Sequence, residues 1–217
     1  MTERRRAPRQ ELVEAAAELG RRDPRLGAFI AEAGLPTMAS RRRRPSDDHF
    51  AALAQSIIYQ QLAGRAAAAI HGRFAALFDG TPSPGAVLTL PVETLRSAGL
   101  SGAKAASIRD LAEKVEEGAV KLDRLSRLSD DEIVRELTLV RGIGPWTAQM
   151  FLIFRLGRLD VWPVDDLGVR KGYARLFGLP AAPTPKELEQ LGDRFRPYRS
   201  VLAWYCWRAA ETVIPAA

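Results

Sequence analysis

The sequence predicts an all-α protein, and three observations support that fold class. Apolar residues recur at helical spacing along most of the chain. Signals that start helices, such as a Ser or Thr followed by Glu three residues later, separate several of these stretches. No segment alternates apolar and polar residues for long enough to form a convincing strand. We therefore expect helices almost throughout the chain.

The first elements are a tail and two helices. Residues 1–10 are expected to form a disordered basic tail, followed by helices over about 10–20 and 25–34. The second helix should end at Gly34, because a glycine with a proline two residues later stops a helix. The basic run Arg41–Arg44 is typical of a solvated linker.

The next two helices follow a capping signal. Ser46 is expected to cap a helix, and a second helix should end near Gly80. The apolar face of the first comprises Phe50, Leu53, Ala54, Ile57 and Ile58, with Gln61 in the same register. The face of the second comprises Ala66, Ile70, Phe74 and Leu77. Their spacing of three and four residues is that of one helix face.

The remaining helices are predicted over residues 92–98 and 103–117 and from each of three later start signals. Pro197 is expected to open the last, aromatic-rich helix. The other two signals are capping boxes, Ser129 with Glu132 and Thr184 with Glu187.

The composition is that of a folded chain with excess positive charge. Hydrophobic residues make up 47% and charged residues 27%, which is ordinary for a globular protein. No apolar run approaches the roughly 20 residues that cross a bilayer, and the N-terminus lacks the apolar core of a signal peptide. The net charge of +6 is compatible with nucleic-acid binding, although genomic codon bias explains it equally well. We expect a cytoplasmic location without a membrane partner.

A single cysteine limits the possible redox and metal chemistry. Cys206 alone cannot form an intramolecular disulfide or a cysteine-ligated zinc or iron–sulfur site. It lies between Tyr205 and Trp207, so we expect a buried, inert thiol. The two histidines, His49 and His71, are expected at the surface or in helix packing.

The segment from residue 137 to 172 carries the most information. A helix is expected to end at Val140, the glycines at 142 and 144 turn the chain, and Pro145 begins the next helix. The glycines allow a tight turn, with Ile143 filling the space between the helices. They also leave backbone N–H groups open to a phosphate. Taken alone, the same spacing fits an ordinary helix–helix turn.

Two stretches together resemble a known family. GIGPWTA at residues 142–148, followed by PVDD at 163–166, resembles the helix-hairpin-helix DNA glycosylases, most closely the 3-methyladenine DNA glycosylase II type in its short all-helical form. SIIYQQLAGRAAAAIHGRF, residues 56–74, looks like the first active-site helix of that branch. RFRPYRSVLAWYCWR, residues 194–208, is similar to its terminal helix. The resemblance covers about residues 46–210.

This resemblance implies two helical subdomains with an active-site cleft between them. Residues 11–61 and 166–217 would form one, and residues 62–165 the other, which carries the helix-hairpin-helix at 130–156. The implied activity is the flipping and hydrolytic excision of alkylated bases (3-methyladenine, 7-methylpurines) from double-stranded DNA in base excision repair. We expect a monomer in a bacterial cytoplasm, associated with the nucleoid.

The family's catalytic aspartate falls on Asp166, and its neighbour Asp165 would serve as a helix cap or support. Without the family, two acids at a helix start are simply N-caps. Bifunctional relatives carry a nucleophilic lysine where this chain has Trp146. The resemblance therefore implies a monofunctional enzyme.

The family also implies a base pocket, a DNA-backbone contact and a wedge. The pocket set is Trp146, Trp207, Tyr59, Gln60, Gln61, Met150 and Leu167, with Trp162 and Trp204 less firmly included; aromatic residues at this spacing are equally typical of a core. The backbone contacts fall on Gly142, Ile143, Gly144 and Thr147. The wedge that replaces the flipped base falls in the region of Leu100, Ser101 and Gly102, where either Leu100 fills the gap or flipping is less assisted.

No cofactor is required by this chemistry, although the family often holds a structural potassium or sodium ion at the hairpin. Here that ion would bind the backbone carbonyls of Thr138, Val140 and Ile143. One alternative is a non-catalytic helix-hairpin-helix DNA-binding protein, which needs no aspartate in this register. A bifunctional or mismatch-type glycosylase is disfavoured by Trp146 and by the lack of cysteines for a cluster.

Overall fold

The structure is a computed structural model that describes residues 8–38 and 46–210. Over these ranges the chain is helical without any β-strand, so the predicted all-α fold class is confirmed. Short 3₁₀ helices cover Leu122–Arg127 and Asp193–Phe195, and a π-helical segment covers Phe151–Arg155. The α-helices, α1 to α12 in chain order, are Pro8–Arg22, Pro24–Ala33, Ser46–Tyr59, Gly64–Ala75, Pro84–Thr89, Val92–Ser97, Gly102–Glu116, Asp130–Thr138, Pro145–Met150, Leu167–Phe177, Pro185–Gly192 and Arg199–Ala209.

The N-terminal predictions fall partly outside these ranges. The predicted tail at 1–10 is described only from residue 8, and residues 8–10 belong to α1 instead of a tail. A proline is tolerated in the first turn of a helix, so Pro8 can begin α1. The basic run Arg41–Arg44 lies outside the described residues. Within the described ranges no helix is both long and apolar enough to cross a membrane.

The described residues pack into two units. The terminal unit comprises residues 8–38 and 152–210, and the central unit comprises residues 46–151. We predicted subdomains of 11–61 with 166–217 and of 62–165, and these stay a prediction. The boundaries between the two packed units lie at different residues from the predicted boundaries.

The differences in division have physical causes. Helix α3 was expected with the terminal residues, but it packs against α4 and α7 of the central unit. Residues 152–165 were expected with the hairpin, but they bond to α12, since the Val161 N–H donates to the Ser200 hydroxyl at 2.8 Å. The backbone N–H of Ser200 in turn donates to the carbonyl of Leu159 at 2.9 Å.

The central unit follows the predicted helical spacing in α3 but only partly in α4, where Phe74 is buried but Ala66 is exposed and the helix ends at Ala75. The face of α3 is buried at all five apolar positions, Phe50, Leu53, Ala54, Ile57 and Ile58. Gln61 lies beyond the end of that helix and is exposed. Helix α5 lies between Gly80 and residue 92, where no helix was predicted: the Ser83 hydroxyl accepts from the Ala86 N–H at 3.3 Å, and Pro84 lies in the first turn. These two signals start a helix even in a short segment.

Of the three later helix starts that were predicted, two are confirmed and one is wrong. Both predicted capping boxes are present, at the starts of α8 and α11. Helix α12 begins at Arg199 and not at Pro197. The N–H of Arg199 donates to the Asp160 carboxylate at 3.3 Å, which satisfies a helix-terminal donor from outside the helix.

The terminal unit is built around α12, which is buried from Arg199 to Trp207. Helix α10 lies directly against it: a Cβ added at Gly172 would stand 1.8 Å from the carbonyl oxygen of Cys206. The Cys206 thiol is buried, as predicted. Burial raises the pKa of this thiol well above its usual value, and the nearby Asp166 carboxylate adds to the effect.

Candidate functional site

The hairpin turn (residues 139–144), between α8 and α9, is shaped by its backbone. Helix α8 ends at Thr138, two residues before the predicted Val140, because hydrogen bonds of 3₁₀ type tighten the last turn. Gly142 has a φ of 78°, a conformation that favours glycine. A Cβ there would also stand 2.7 Å from the Ser107 hydroxyl oxygen. Ile143 is buried between the helices, as predicted.

At the start of α9 the backbone of the glycine is accessible, whereas the threonine is buried. Pro145 begins the helix and Gly144 stands at the N-cap, as the motif predicts. Among the described residues, no atom would lie within 4 Å of a Cβ added at Gly144, so a phosphate could approach this backbone. Trp146 is 42% exposed. Thr147 is buried, with its hydroxyl oxygen 3.5 Å from the Gln60 amide nitrogen, so the structure does not offer its side chain to DNA.

Side chains from neighbouring helices hold the hairpin turn on two sides. The Gln60 amide donates to the carbonyl of Gly142 at 3.0 Å. The Asp110 carboxylate accepts from the backbone N–H of Arg141 at 2.7 Å and pairs with Lys114 at 2.7 Å. Burial raises the pKa of Asp110, but these two donors outweigh it, so that its pKa lies below the usual value. Gln60 thus supports the hairpin turn, and its predicted place beside a base pocket stays a prediction.

A second turn, residues 60–63, is anchored by Lys104. The Lys104 ammonium donates to the carbonyl oxygens of Ile58 at 2.7 Å and Gln60 at 2.8 Å. Desolvation by burial lowers the pKa of Lys104. Gln61 has a φ of 56°, which a side-chain-bearing residue rarely adopts. The next residue, Leu62, is 38% exposed.

The predicted wedge region has no exposed apolar side chain. Leu100 is only 5% exposed and belongs to the core of the central unit. Ser101 caps α7 through the Lys104 N–H, and Gly102 has no side chain to insert. An exposed leucine outside the predicted site set is Leu62. Its signal was a leucine in the QLAG segment, after the buried face of α3 has ended.

In the terminal unit, Asp166 is held by two donors on one oxygen. Its Oδ1 accepts from the backbone N–H of Val169 at 2.9 Å and from the indole Nε1 of Trp207 at 3.0 Å. Asp166 is therefore the N-cap of α10. Of the two roles predicted for Asp165, the cap is wrong, because Asp165 is exposed and precedes the capping position; the supporting role stays a prediction.

Trp207 occupies a different place from the predicted pocket wall. It is 1% exposed, and its ring centroid lies 5.6 Å from that of Phe154. A ring buried to this extent offers no free face to a flipped base. Its indole N–H is directed to Asp166.

The other pocket candidates divide between core and surface. Trp162 and Trp204 are buried, and the Trp162 indole donates to the carbonyl of Leu188 at 2.9 Å. Met150 is buried as well. The candidates with an exposed side chain are, besides Trp146, the residues Leu167, Gln61 and, in part, Tyr59.

Metal ligation has little support from side chains. Across the part of the chain that the structure describes, no group of three His, Cys, Asp or Glu residues could hold a metal ion. The predicted alkali-ion ligands Thr138, Val140 and Ile143 lie at the hairpin turn, where the Val140 carbonyl already accepts from the Ile143 N–H at 3.0 Å. A carbonyl oxygen has two lone pairs, so this ion stays a prediction.

Comparison with known families gives one match over most of the chain. The family model described as "HhH-GPD superfamily base excision DNA repair protein" matches residues 54–197. This range includes the hairpin turn and Asp166 but ends before Trp207.

Individual relatives share a third of the sequence. A protein named DNA-3-methyladenine glycosylase 1, from Schizosaccharomyces pombe, is 34% identical over 81% of this chain and 77% of its own length. The solved structure of DNA-3-methyladenine glycosidase from Bacillus halodurans is 36% identical. The match covers 91% of this chain and 89% of that chain, with a TM-score of 0.79. The structure of S. pombe 3-methyladenine DNA glycosylase Mag1 in complex with abasic DNA is 31% identical, covers 92% of this chain and 98% of its own, and has a TM-score of 0.74.

Proposed function

Because the family model spans residues 54–197, the chain belongs to the HhH-GPD superfamily of base excision DNA repair proteins, and we propose that it is a monofunctional DNA glycosylase. Its substrates would be alkylated bases, 3-methyladenine and 7-methylpurines, in double-stranded DNA. The names of its relatives support this substrate class. The single observation that carries the proposal is the Asp166 carboxylate, fixed by two hydrogen bonds in the register of the family's catalytic acid.

The chemistry needs a carboxylate because positive charge builds on the sugar as the N-glycosidic bond breaks. A fixed anion beneath that carbon opposes the charge where water is largely excluded. At about 4 Å and an effective dielectric constant near 20, the attraction is about 4 kcal/mol, or roughly a thousandfold in rate. The same Asp166 carboxylate could orient or deprotonate the attacking water.

An alkylated purine such as 3-methyladenine is cationic and leaves readily, so the mechanism requires no dedicated general acid. The histidines are engaged in ring contacts: His49 lies edge-on to Phe151 at 5.9 Å, and His71 lies edge-on to Tyr59 at 6.2 Å. Trp146 stands where bifunctional relatives carry a lysine, and an indole cannot form a Schiff base. The product would be an intact strand with an abasic site.

Base extrusion needs contacts on both the DNA backbone and the base stack. The open backbone at Gly144, next to the buried Ile143, supports a phosphate grip. Leu62 is an exposed apolar side chain on a turn anchored by Lys104, and we assign it the wedge role in place of Leu100. Trp146, with its exposed ring, is the candidate for stacking on a cationic base.

The remaining parts of the proposal follow from this activity. A potassium or sodium ion at the carbonyls of Thr138, Val140 and Ile143 would neutralise a phosphate at the hairpin, and no other cofactor is needed. The enzyme would act as a monomer on chromosomal DNA, in the bacterial cytoplasm at the nucleoid.

The direct test is a base-release assay under single-turnover conditions. Duplexes carrying 3-methyladenine, 7-methylguanine, ethenoadenine or hypoxanthine are compared with undamaged DNA. We expect release of the methylated purines, and no covalent adduct with DNA after borohydride reduction. Salt-dependent binding without any base release would instead identify the non-catalytic DNA-binding alternative. A trapped adduct would identify a bifunctional enzyme.

A further inference from the structure

We propose that Trp207 is a positioning residue, whose indole N–H fixes the Asp166 carboxylate for base excision; this inference rests on the proposed function. The sequence places Trp207 among residues that could stack on the base. The structure gives it a buried ring, a polar atom directed at Asp166, and a separation of 3.0 Å from Nε1 to Oδ1.

Without the indole of Trp207, the Asp166 carboxylate would lose the donor that comes from α12. The N-cap hydrogen bond from Val169, at 2.9 Å, reaches the same Oδ1 atom as the indole does. A carboxylate can rotate about its Cβ–Cγ bond, and donors from two different helices restrict that rotation more than a donor from one helix does. An indole N–H can only donate, so Trp207 favours an orientation in which Asp166 presents a lone pair to it.

The indole of Trp207 is itself held in place by packing. Helix α12 meets α10 through backbone at Cys206, where the carbonyl oxygen leaves no room for a Cβ on Gly172. Trp207 is the next residue along, and its ring packs on that of Phe154, at an interplanar angle of 33°. The position of the donor is therefore set by helix packing and ring packing, and not by Asp166 itself.

The other end of α12 is held by an ion pair. The Arg199 guanidinium is buried and bonds the Asp160 carboxylate through Nε at 2.8 Å and a second nitrogen at 3.0 Å. Buried charges persist in proteins when they are paired and hydrogen-bonded, as here. Asp160 lies in the segment that leads to Asp166, so one helix fixes that segment at its first turn and the carboxylate at its last.

Taken together, these contacts give Trp207 a role through Asp166 and not through the base. A group that acts in this way changes the chemical step and leaves DNA binding largely intact. A ring that stacks on the base would instead change binding and excision independently of Asp166.

The test begins with Trp207→Phe, which removes the N–H and keeps an aromatic ring. Single-turnover release of 3-methyladenine should fall roughly ten- to a hundredfold, the scale of one hydrogen bond to a charged group. The affinity for an abasic duplex should change less than about threefold. Replacement of Trp207 by benzothienylalanine, in which sulfur takes the place of the N–H, should give the same loss while keeping the shape of the ring.

The matched control is Trp162→Phe. Trp162 is also a buried tryptophan of the terminal unit, and its indole also donates one hydrogen bond, to the Leu188 carbonyl. This variant should lower the melting temperature by a similar amount but keep the excision rate within about twofold. A rate loss in Trp162→Phe as large as that in Trp207→Phe would show that general destabilisation is responsible, and would overturn the proposal.

A double-mutant cycle separates positioning from stacking. The cycle uses Asp166→Ala, because an asparagine would still accept from the indole. On that background Trp207→Phe should cause no further loss of rate. If the two losses multiply, Trp207 acts independently of Asp166 and the proposal is wrong; it is equally wrong if both Trp207 variants excise at the wild-type rate. Failure of the wild-type protein to release any base would instead contradict the proposed function.

Discussion

The hairpin turn of the central unit and the Asp166 region of the terminal unit reach a defined geometry by different means. The backbone conformation of the hairpin turn is set by residues adjacent in sequence, such as Gly142 with a φ of 78° and Pro145 at the start of α9, and the side chains of Gln60 and Asp110 then hold it. Asp166 is fixed by an indole 41 residues away in sequence. Local backbone chemistry therefore sets the conformation of the hairpin turn, while long-range helix packing positions the candidate catalytic carboxylate. The two regions should respond differently to mutation.

The largest effect is expected from Gly172→Ala, which breaks the long-range region. The added Cβ would meet the backbone of Cys206 at 1.8 Å, and a backbone carbonyl cannot move aside as a side chain can. We expect a loss of about 3 kcal/mol or more in the free energy of unfolding, at the upper end of overpacking costs. Denaturant unfolding measures this loss. Gly144→Ala is the control, because a Cβ there meets open space, and its stability should stay close to wild type.

A smaller effect is expected from Gly142→Ala, which strains the hairpin turn. The substitution combines a positive φ with a contact of 2.7 Å to the Ser107 hydroxyl. It should cost about 1–2 kcal/mol in stability and weaken binding to undamaged and abasic duplexes alike. The double variant Gly142→Ala with Ser107→Ala should recover part of this loss, since the contact is relieved while the strained φ remains. Full wild-type stability in Gly142→Ala would contradict the local account of the turn.

The smallest effect is expected from Asp110→Asn, and it depends on pH. The pKa of Asp110 lies below its ordinary value of 3.8 in the folded protein. Its contribution to stability is therefore present above that value and is lost as the pH falls through the folded pKa. After allowance for solvent screening, the loss at neutral pH should be on the order of 0.5–1 kcal/mol. Denaturant unfolding curves of the two proteins should converge in strong acid; a constant difference down to that pH would contradict the ion-pair account.

The same contrast explains which features could be predicted from the sequence. The capping boxes at Ser129 and Thr184 and the turn before Pro145 depend on residues within a few positions of one another, and the structure confirms them. Helical spacing likewise identified the buried face of α3, with Phe50 as its first member. Each of these signals acts over one or two helical turns.

The features that were missed depend on distant partners. Leu100 and Leu62 are both leucines near turns, and only packing decides that the first is buried and the second exposed. Gln60 follows a helix that resembles an active-site helix, but its amide bonds to a carbonyl 82 residues later. The place of Trp207 depends on the contact of α12 with α10, which has no local signal. Sequence spacing identified these residues as important, and the fold decides what each of them contacts.

The most direct test of the central claim compares Asp166→Asn with Asp165→Asn in single-turnover release of 3-methyladenine. Asparagine can still cap α10, so Asp166→Asn should keep the fold and the affinity for an abasic duplex. It should lose excision by roughly a hundredfold or more, the scale of removing an electrostatic stabiliser of the transition state. Asp165→Asn, at an exposed position that does not cap the helix, should excise at close to the wild-type rate. An inactive Asp165→Asn beside an active Asp166→Asn would place the catalytic group one residue earlier, and normal excision by both would contradict a catalytic role for Asp166.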